Sequence, residues 1–210
     1  MQTRKGQGIE DESMQIIDNE VGPHPYDKFE WPIVRRVIHA TADFDFAGKN
    51  KIVFHKDAVM NGINALKEGC SIVVDVNGVI GGMNKQNPKD FGNKVICNIS
   101  DPDIAERAKK ENKTRSQISM RVAASEMNGG IVTIGNAPTA LLEVIQMISE
   151  GITKPALIIG IPVGFVAAAE SKEKLQTVDV PYITNAGRKG GSSCAASIVN
   201  ALFKLLRENS

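Results

Sequence analysis

The chain has 210 residues, of which 42% are hydrophobic and 23% charged, as expected of a globular protein with its own core. A net charge of +1 and an aromatic content of 5% argue against nucleic-acid binding, which needs a basic surface or stacking aromatics. The polar N-terminus lacks a signal-peptide core, and the longest apolar run, 155–169, is too short to span a membrane. Three widely spaced cysteines without a CxxC motif indicate reduced thiols, so we expect a cytoplasmic protein.

The first predicted elements are helices. Residues 1–10 are polar and expected to be mobile, and a short helix over 10–17 carries Ser13. The stretch 31–46 reads WPIVRRVIHATADFDF, and Pro32 suits the first turn of a helix. At about 100° per residue, one arc of this helix is apolar and comprises Ile33, Val34, Val37, Ile38, Ala40 and Thr41.

The opposite arc of the same helix is polar and carries Arg35, Arg36 and His39. One more helical turn would place Asp43 between His39 and Arg36. The pattern is more typical of a solvated helix face, and a proton-transfer centre beside an anion-binding surface is the alternative interpretation. The three histidines show no metal-ligand spacing with each other or with the cysteines, so we expect no metal site.

The remainder of the chain alternates strands and helices. After a short extended link at 51–54 and a helix over 55–67, five apolar runs predict strands at 71–76, 95–99, 131–134, 156–161 and 180–183. Helical patterns follow at 103–128 (in two pieces), 139–150, 163–175 and 193–206. This alternation predicts one α/β domain over 1–210, with a parallel sheet and a helical extension over about 1–45.

Polar and glycine-rich loops follow the predicted strands, where ligands bind in such sheets. Asp75 is interpreted as either a turn former or a ligand contact. The loop 185–193, NAGRKGGSS, offers Arg188 and Lys189 to an anion, and Ser192 or Ser193 to cap the next helix. Neither a P-loop nor a GxGxxG motif is present, and each glycine loop is also typical of a tight βα turn.

The cluster KTRS at 113–116 is a further candidate site. Thr114 or Ser116 is expected to cap a helix, which would leave Arg115 free to bind a carboxylate through two parallel hydrogen bonds. An ordinary exposed helix start explains the same residues. From pattern alone, the chain is an α/β protein that binds an anionic small molecule.

A set of motifs along the chain resembles the precorrin-8X methylmutase family. They are RVIHA at 36–40, KTRS at 113–116, IGNAPTAL at 134–141, GIPVGFV at 160–166 with AAESK at 168–172, and GRKGGS at 187–192. The resemblance runs in order from about Glu10 to Leu206. It implies a flavodoxin-like three-layer α/β/α fold with a five-stranded parallel sheet.

The resemblance also implies a function. Enzymes of this family shift a methyl group from C11 to C12 of a corrinoid ring, giving hydrogenobyrinic acid or, with cobalt present, cobyrinic acid. The resemblance places the catalytic histidine at His39 and substrate contacts at Ser13, Arg36, Arg115 and Ser116. It implies a homodimer with active sites at the subunit interface, and no cofactor. Whether the substrate contains cobalt stays open, and a non-catalytic corrinoid carrier is the alternative function.

Overall fold

The computed structural model describes residues 3–209 and consists of a sheet covered by helices on both faces. Its strands are β1 (Ile52–Phe54), β2 (Ser71–Val74), β3 (Lys94–Ile96), β4 (Ile131–Ile134), β5 (Leu157–Gly160) and β6 (Tyr182–Asn185). Its α-helices are α1 (Arg4–Val21), α2 (Glu30–Thr41), α3 (Ala58–Lys67), α4 (Asn77–Gly82), α5 (Gln86–Asp90), α6 (Pro102–Lys110), α7 (Arg115–Val122), α8 (Pro138–Ser149), α9 (Ala168–Leu175) and α10 (Ser192–Glu208). Short 3-10 helices cover Phe44–Phe46 and Ala124–Met127.

The strand order is β1-β6-β5-β4-β2-β3. The five predicted strands β2 to β6 are mutually parallel and stand in the 2-1-3-4-5 order of flavodoxin-like folds, so the predicted fold class is confirmed. The predicted strand number was one too low, because the stretch expected to be an extended link, β1, pairs antiparallel with β6. Ile52 lies opposite Asn185 in this pairing, and β1 is therefore the strand at one edge of the sheet.

The core has two parts, one on each face of the sheet. Successive residues of a strand point to opposite faces, so Leu157 and Ile159 contact the part under α2, α3 and α10, whereas Ile158 contacts the part under α7, α8 and α9. A glycine permits close packing in each part. A Cβ on Gly62 of α3 would lie 2.8 Å from Leu157, and a Cβ on Gly160 of β5 would lie 2.6 Å from Leu175.

Several predicted helix boundaries were wrong. Helix α1 begins at Arg4 because Thr3 caps it by accepting a hydrogen bond from the Gly6 N–H at 3.1 Å, so residues 4–10 are helical. The part of the predicted mobile segment at residues 1–2 lies outside the described residues. The helix expected from 163 begins only at Ala168. Helices α4 and α5, by contrast, were not predicted from the sequence.

The joint between α1 and α2 is held by aromatic and ionic contacts. The indole N–H of Trp31 donates to Asp18 at 2.9 Å, and its ring stacks on His24 with 3.9 Å between centroids. Arg35 forms an ion pair with the same Asp18 at 2.7 Å. Helix α1 therefore packs on α2, and α2 packs against α10. None of the helices within 3–209 has the length and hydropathy of a membrane span.

Candidate functional site

Helix α2 presents His39 to solvent, as the sequence predicts. Asp27 accepts hydrogen bonds from the Phe29 and Glu30 N–H groups at its start, and Ala42 ends it in the left-handed conformation. Its buried arc consists of Ile33, Val34, Val37 and Ile38. The His39 side chain is exposed and makes no hydrogen bond or ion pair with any residue in the range 3–209.

The further helical turn that would place Asp43 between His39 and Arg36 is not formed. Helix α2 stops at Thr41, so Asp43 leaves the helical face and accepts a hydrogen bond from Lys189 Nζ at 2.7 Å. Asp45 accepts from the same ammonium group at 2.7 Å, and this contact lowers its pKa. The end of α2 is thereby attached to the loop between β6 and α10.

These contacts show at which edge of the sheet His39 lies. Pro32 and Arg35, near the start of α2, border a cavity together with Leu205, near the end of α10. The residues after α2 bind Lys189, three residues before α10 begins. The two helices therefore run antiparallel, and the His39 end of α2 lies at the carboxyl edge of the sheet, where α/β proteins bind ligands.

Arg36 lies one turn before His39 on α2. Its guanidinium forms an ion pair with Glu10 of α1, and both side chains are largely buried, with exposures of 21% and 17%. Lys204 of α10 also approaches Glu10, at 3.8 Å. Ser13 is half-buried on α1, and its hydroxyl donates to the Ile9 carbonyl at 2.8 Å. Ser13, Arg36 and His39 therefore lie on two packed helices.

Arg115 and Ser116 lie elsewhere, at the start of α7. The predicted cap is confirmed: Thr114 accepts from the Gln117 N–H at 3.2 Å, and the Gln117 side chain completes a capping box. The Thr114 hydroxyl also donates to Thr139 at 3.2 Å, next to the loop after β4. Arg115 is exposed and, within the described part of the chain, unpaired. Helices α7 and α2 cover opposite faces of the sheet, so Arg115 and Ser116 lie in a different layer from Ser13, Arg36 and His39.

Asp75, which follows β2, is a structural carboxylate. It is fully buried and accepts hydrogen bonds from three consecutive N–H groups after β4, those of Gly135 at 3.0 Å, Asn136 at 2.8 Å and Ala137 at 2.8 Å. Burial raises its pKa despite these donors. This crevice between β2 and β4 is where the strand order reverses, the usual ligand position in this topology. In this chain, the Asp75 carboxylate accepts hydrogen bonds from the backbone N–H groups of the crevice.

The loop between β6 and α10 does not have the predicted capping residue. Gly191 is the N-cap of α10, no side chain caps the helix, and Ser192 is its first residue. Lys189 is paired with two carboxylates, which leaves Arg188 as the exposed cation of the loop.

The sequence did not predict the exposed residues that follow β5. Phe165 and Val166 are 86% and 84% exposed. Their loop is fixed, since Gly164 N–H donates to Arg188 O at 3.2 Å and Gly191 N–H donates to Ile161 O at 3.0 Å. The only signal was the apolar run itself, which was assigned to a helix that begins later.

The other side chains that could carry chemistry are possible metal ligands and the cysteines. No group of three or more His, Cys, Asp or Glu side chains between residues 3 and 209 is arranged to hold a metal ion. The three cysteines are free thiols, and burial raises the pKa of Cys70 and of Cys194 to about 11.

Comparison with known proteins identifies the family. The family model for precorrin-8X methylmutase matches residues 8–205. Cobalt-precorrin-8 methylmutase of Priestia megaterium is 50% identical over 95% of this chain and 88% of that protein. The protein of the same name from Leptospira interrogans is 48% identical over 97% and 95%.

A solved structure agrees with these sequence matches. The precorrin-8X methyl mutase of Thermus thermophilus superposes with a TM-score of 0.90 at 40% identity, over 97% of this chain and 98% of that one. The chain therefore belongs to the precorrin-8X methylmutase family, isomerases that move a methyl group on the corrinoid ring in cobalamin biosynthesis.

Proposed function

We propose that His39 is the proton donor and acceptor for a methyl shift from C11 to C12 of precorrin-8X or its cobalt-containing counterpart. The observation that carries this proposal is the difference in contacts and exposure among the three histidines. His24 is stacked on Trp31, and His55 Nδ1 accepts the Asp57 N–H at 3.4 Å. His39 is exposed at the ligand-binding edge and has no partner among residues 3–209.

The chemistry needs one mobile proton. Protonation of the conjugated ring draws electron density towards the position that receives the methyl group, and the same imidazole recovers the proton afterwards. Such general acid–base help is worth about 10²–10⁴-fold in rate. A rigid helix suits this task because His39 is positioned by the buried arc of α2 beneath it.

Binding is assigned to dispersed cations and hydroxyls, since the substrate has several acetate and propionate arms. Arg36 and Arg115 each bind a carboxylate, and Ser13 and Ser116 donate hydrogen bonds. Glu10 already gives Arg36 a carboxylate partner. The substrate carboxylate therefore takes the place of Glu10, with which Lys204 can stay paired.

We also propose a homodimer with the active site at the subunit interface. Two observations support it. His39 and Arg115 lie in opposite layers, as expected if a ring bound between two copies contacts His39 of one copy and Arg115 of the other. Phe165 and Val166 form an exposed apolar surface at the same edge of the sheet, as is typical of interfaces.

The free thiols favour the reducing cytoplasm as the location of the protein.

The test is the visible spectrum of precorrin-8X with the purified protein and with two matched variants, His39→Asn and His55→Asn. Asparagine retains a hydrogen bond but cannot transfer a proton near neutral pH. We expect His39→Asn to bind normally and to convert substrate about 10²–10⁴-fold more slowly, whereas His55→Asn is unaffected. Circular dichroism controls for folding.

Two results would contradict the proposal. If wild-type protein shifts the spectrum but unrearranged ligand is recovered after denaturation, the chain is a corrinoid carrier. If folded His39→Asn turns over at the wild-type rate, the proton comes from another group or from water.

A further inference from the structure

Lys172 is a buried lysine that the proposed chemistry does not use. It lies on α9 and is 1% exposed. Its ammonium donates to Asn185 Oδ1 at 3.0 Å and to the Lys189 carbonyl at 2.7 Å. No carboxylate pairs with it among residues 3–209, and burial lowers its pKa to about 8. A buried cation without a counter-ion is costly, so its hydrogen bonds are expected to have a specific role.

The acceptors of Lys172 belong to the loop between β6 and α10. The Asn185 side-chain amide donates to the Lys189 carbonyl at 3.0 Å and to the Ala186 carbonyl at 2.8 Å. Lys172 and Asn185 therefore fix the backbone of Lys189 from inside the protein. The Lys189 side chain extends the other way and binds Asp43 and Asp45, each at 2.7 Å.

A continuous series of contacts thus joins Lys172 to the end of α2. Asp43 follows the last residue of α2 by two positions, and His39 is in the last turn of that helix. Lysine suits the interior end of this series because its ammonium can donate to two carbonyl-type oxygens at once, whereas an apolar side chain would leave the Asn185 oxygen without a donor.

We propose that Lys172 is a positioning residue that holds the His39 end of α2 in place through the backbone and side chain of Lys189. This inference rests on the role proposed for His39, but its central measurement does not require turnover. Lys172 touches neither His39 nor the residues assigned to substrate binding. Its loss should therefore change the surroundings of His39 and lower kcat, while KM stays close to wild type.

The experiment uses imidazole NMR, because the chain has only three histidines. In Lys172→Met, we expect the His39 signals to move and those of His24 and His55 to remain. Lys174→Met is the matched control, since Lys174 is exposed on the same helix. We expect kcat to fall about 10²-fold, the loss associated with a misplacement of about 1 Å. Lys174→Met should match wild type in both measurements.

Lys189→Met tests the same series from the surface and keeps the question open to experiment if Lys172→Met does not fold. We expect it to move the His39 signals as well. The two residues are proposed to act through the same series of contacts. The double variant Lys172→Met/Lys189→Met should therefore lose no more kcat than the more affected single variant. If the His39 signals stay unchanged in a folded Lys172→Met or Lys189→Met protein, the inference is wrong. The His39 signals are measured without turnover, so a wild-type protein without methylmutase activity would still give them. Failure of the proposed function can therefore be told apart from failure of this inference.

Discussion

The buried carboxylate of Asp75 allows a quantitative prediction about stability. In Asp75→Ala, three N–H groups lose their acceptor, and those of Gly135 and Ala137 are buried. A buried donor left without a partner costs about 1–3 kcal/mol, which gives roughly 2–6 kcal/mol for the pair. The substitution also removes the cost of burying a charged carboxylate, the same effect that raises the pKa of Asp75 in the folded chain. We therefore expect a net loss of about 3–4 kcal/mol in the free energy of unfolding.

Urea unfolding followed by circular dichroism measures this loss. With a slope of roughly 2–3 kcal/mol per molar urea, the midpoint should fall by about 1–2 M in Asp75→Ala. Asp75→Asn retains the volume and one acceptor oxygen, so its loss should be smaller, about 2 kcal/mol. A midpoint for Asp75→Ala within about 0.2 M of wild type would refute the reasoning, because the three hydrogen bonds would then only balance the cost of burial.

Two further predictions concern substrate binding and alkaline pH. Arg36→Ala and Arg115→Ala should each weaken product binding by about 1.5–3 kcal/mol in an absorbance titration, whereas Arg35→Ala, which also loses an ion pair on α2, should not; unchanged binding in both variants would remove these arginines from the site. The pKa of the Cys194 thiol is about 11 in the folded chain, above its ordinary value of 9.0, so its contribution to stability is complete below pH 9 and is lost as the pH rises through 11. Cys194→Ala should therefore lose less of its melting temperature than wild type between about pH 9 and pH 11, and parallel declines would contradict this assignment.

The strands show which parts of the fold can be predicted from sequence. Runs such as Ile131–Ile134 are apolar at most positions because both faces are covered, and this pattern is visible locally. Strand β1 has three residues, too few for a pattern, and is defined by its pairing with β6. Helix α4 contains three glycines, but Gly78 packs against Ser192 and Gly82 against Ala196, so tertiary contacts outweigh its weak helix propensity.

The candidate site also has features that the local sequence predicts and features that depend on residues distant in the chain. The opposite arcs of α2 follow from helix periodicity, so the exposure of His39 could be predicted. The position of Asp43 could not, because its partner Lys189 is 146 residues away in the chain. Asp75 was left between two interpretations because the three N–H groups that it binds come from another strand's loop. The assignments of His39, Ser13, Arg36, Arg115 and Ser116 to catalysis and binding remain predictions.

The joint between α1 and α2 gives this protein an intrinsic fluorescent reporter. Trp31 is the only tryptophan of the chain, so all indole emission comes from a single position. The indole donates to Asp18 of α1 and stacks on His24, and release of α1 would break the first contact and expose the ring. Glu10, the partner of Arg36, lies on the same helix. Emission from unmodified protein therefore reports whether α1 stays docked when a ligand carboxylate replaces Glu10 at Arg36.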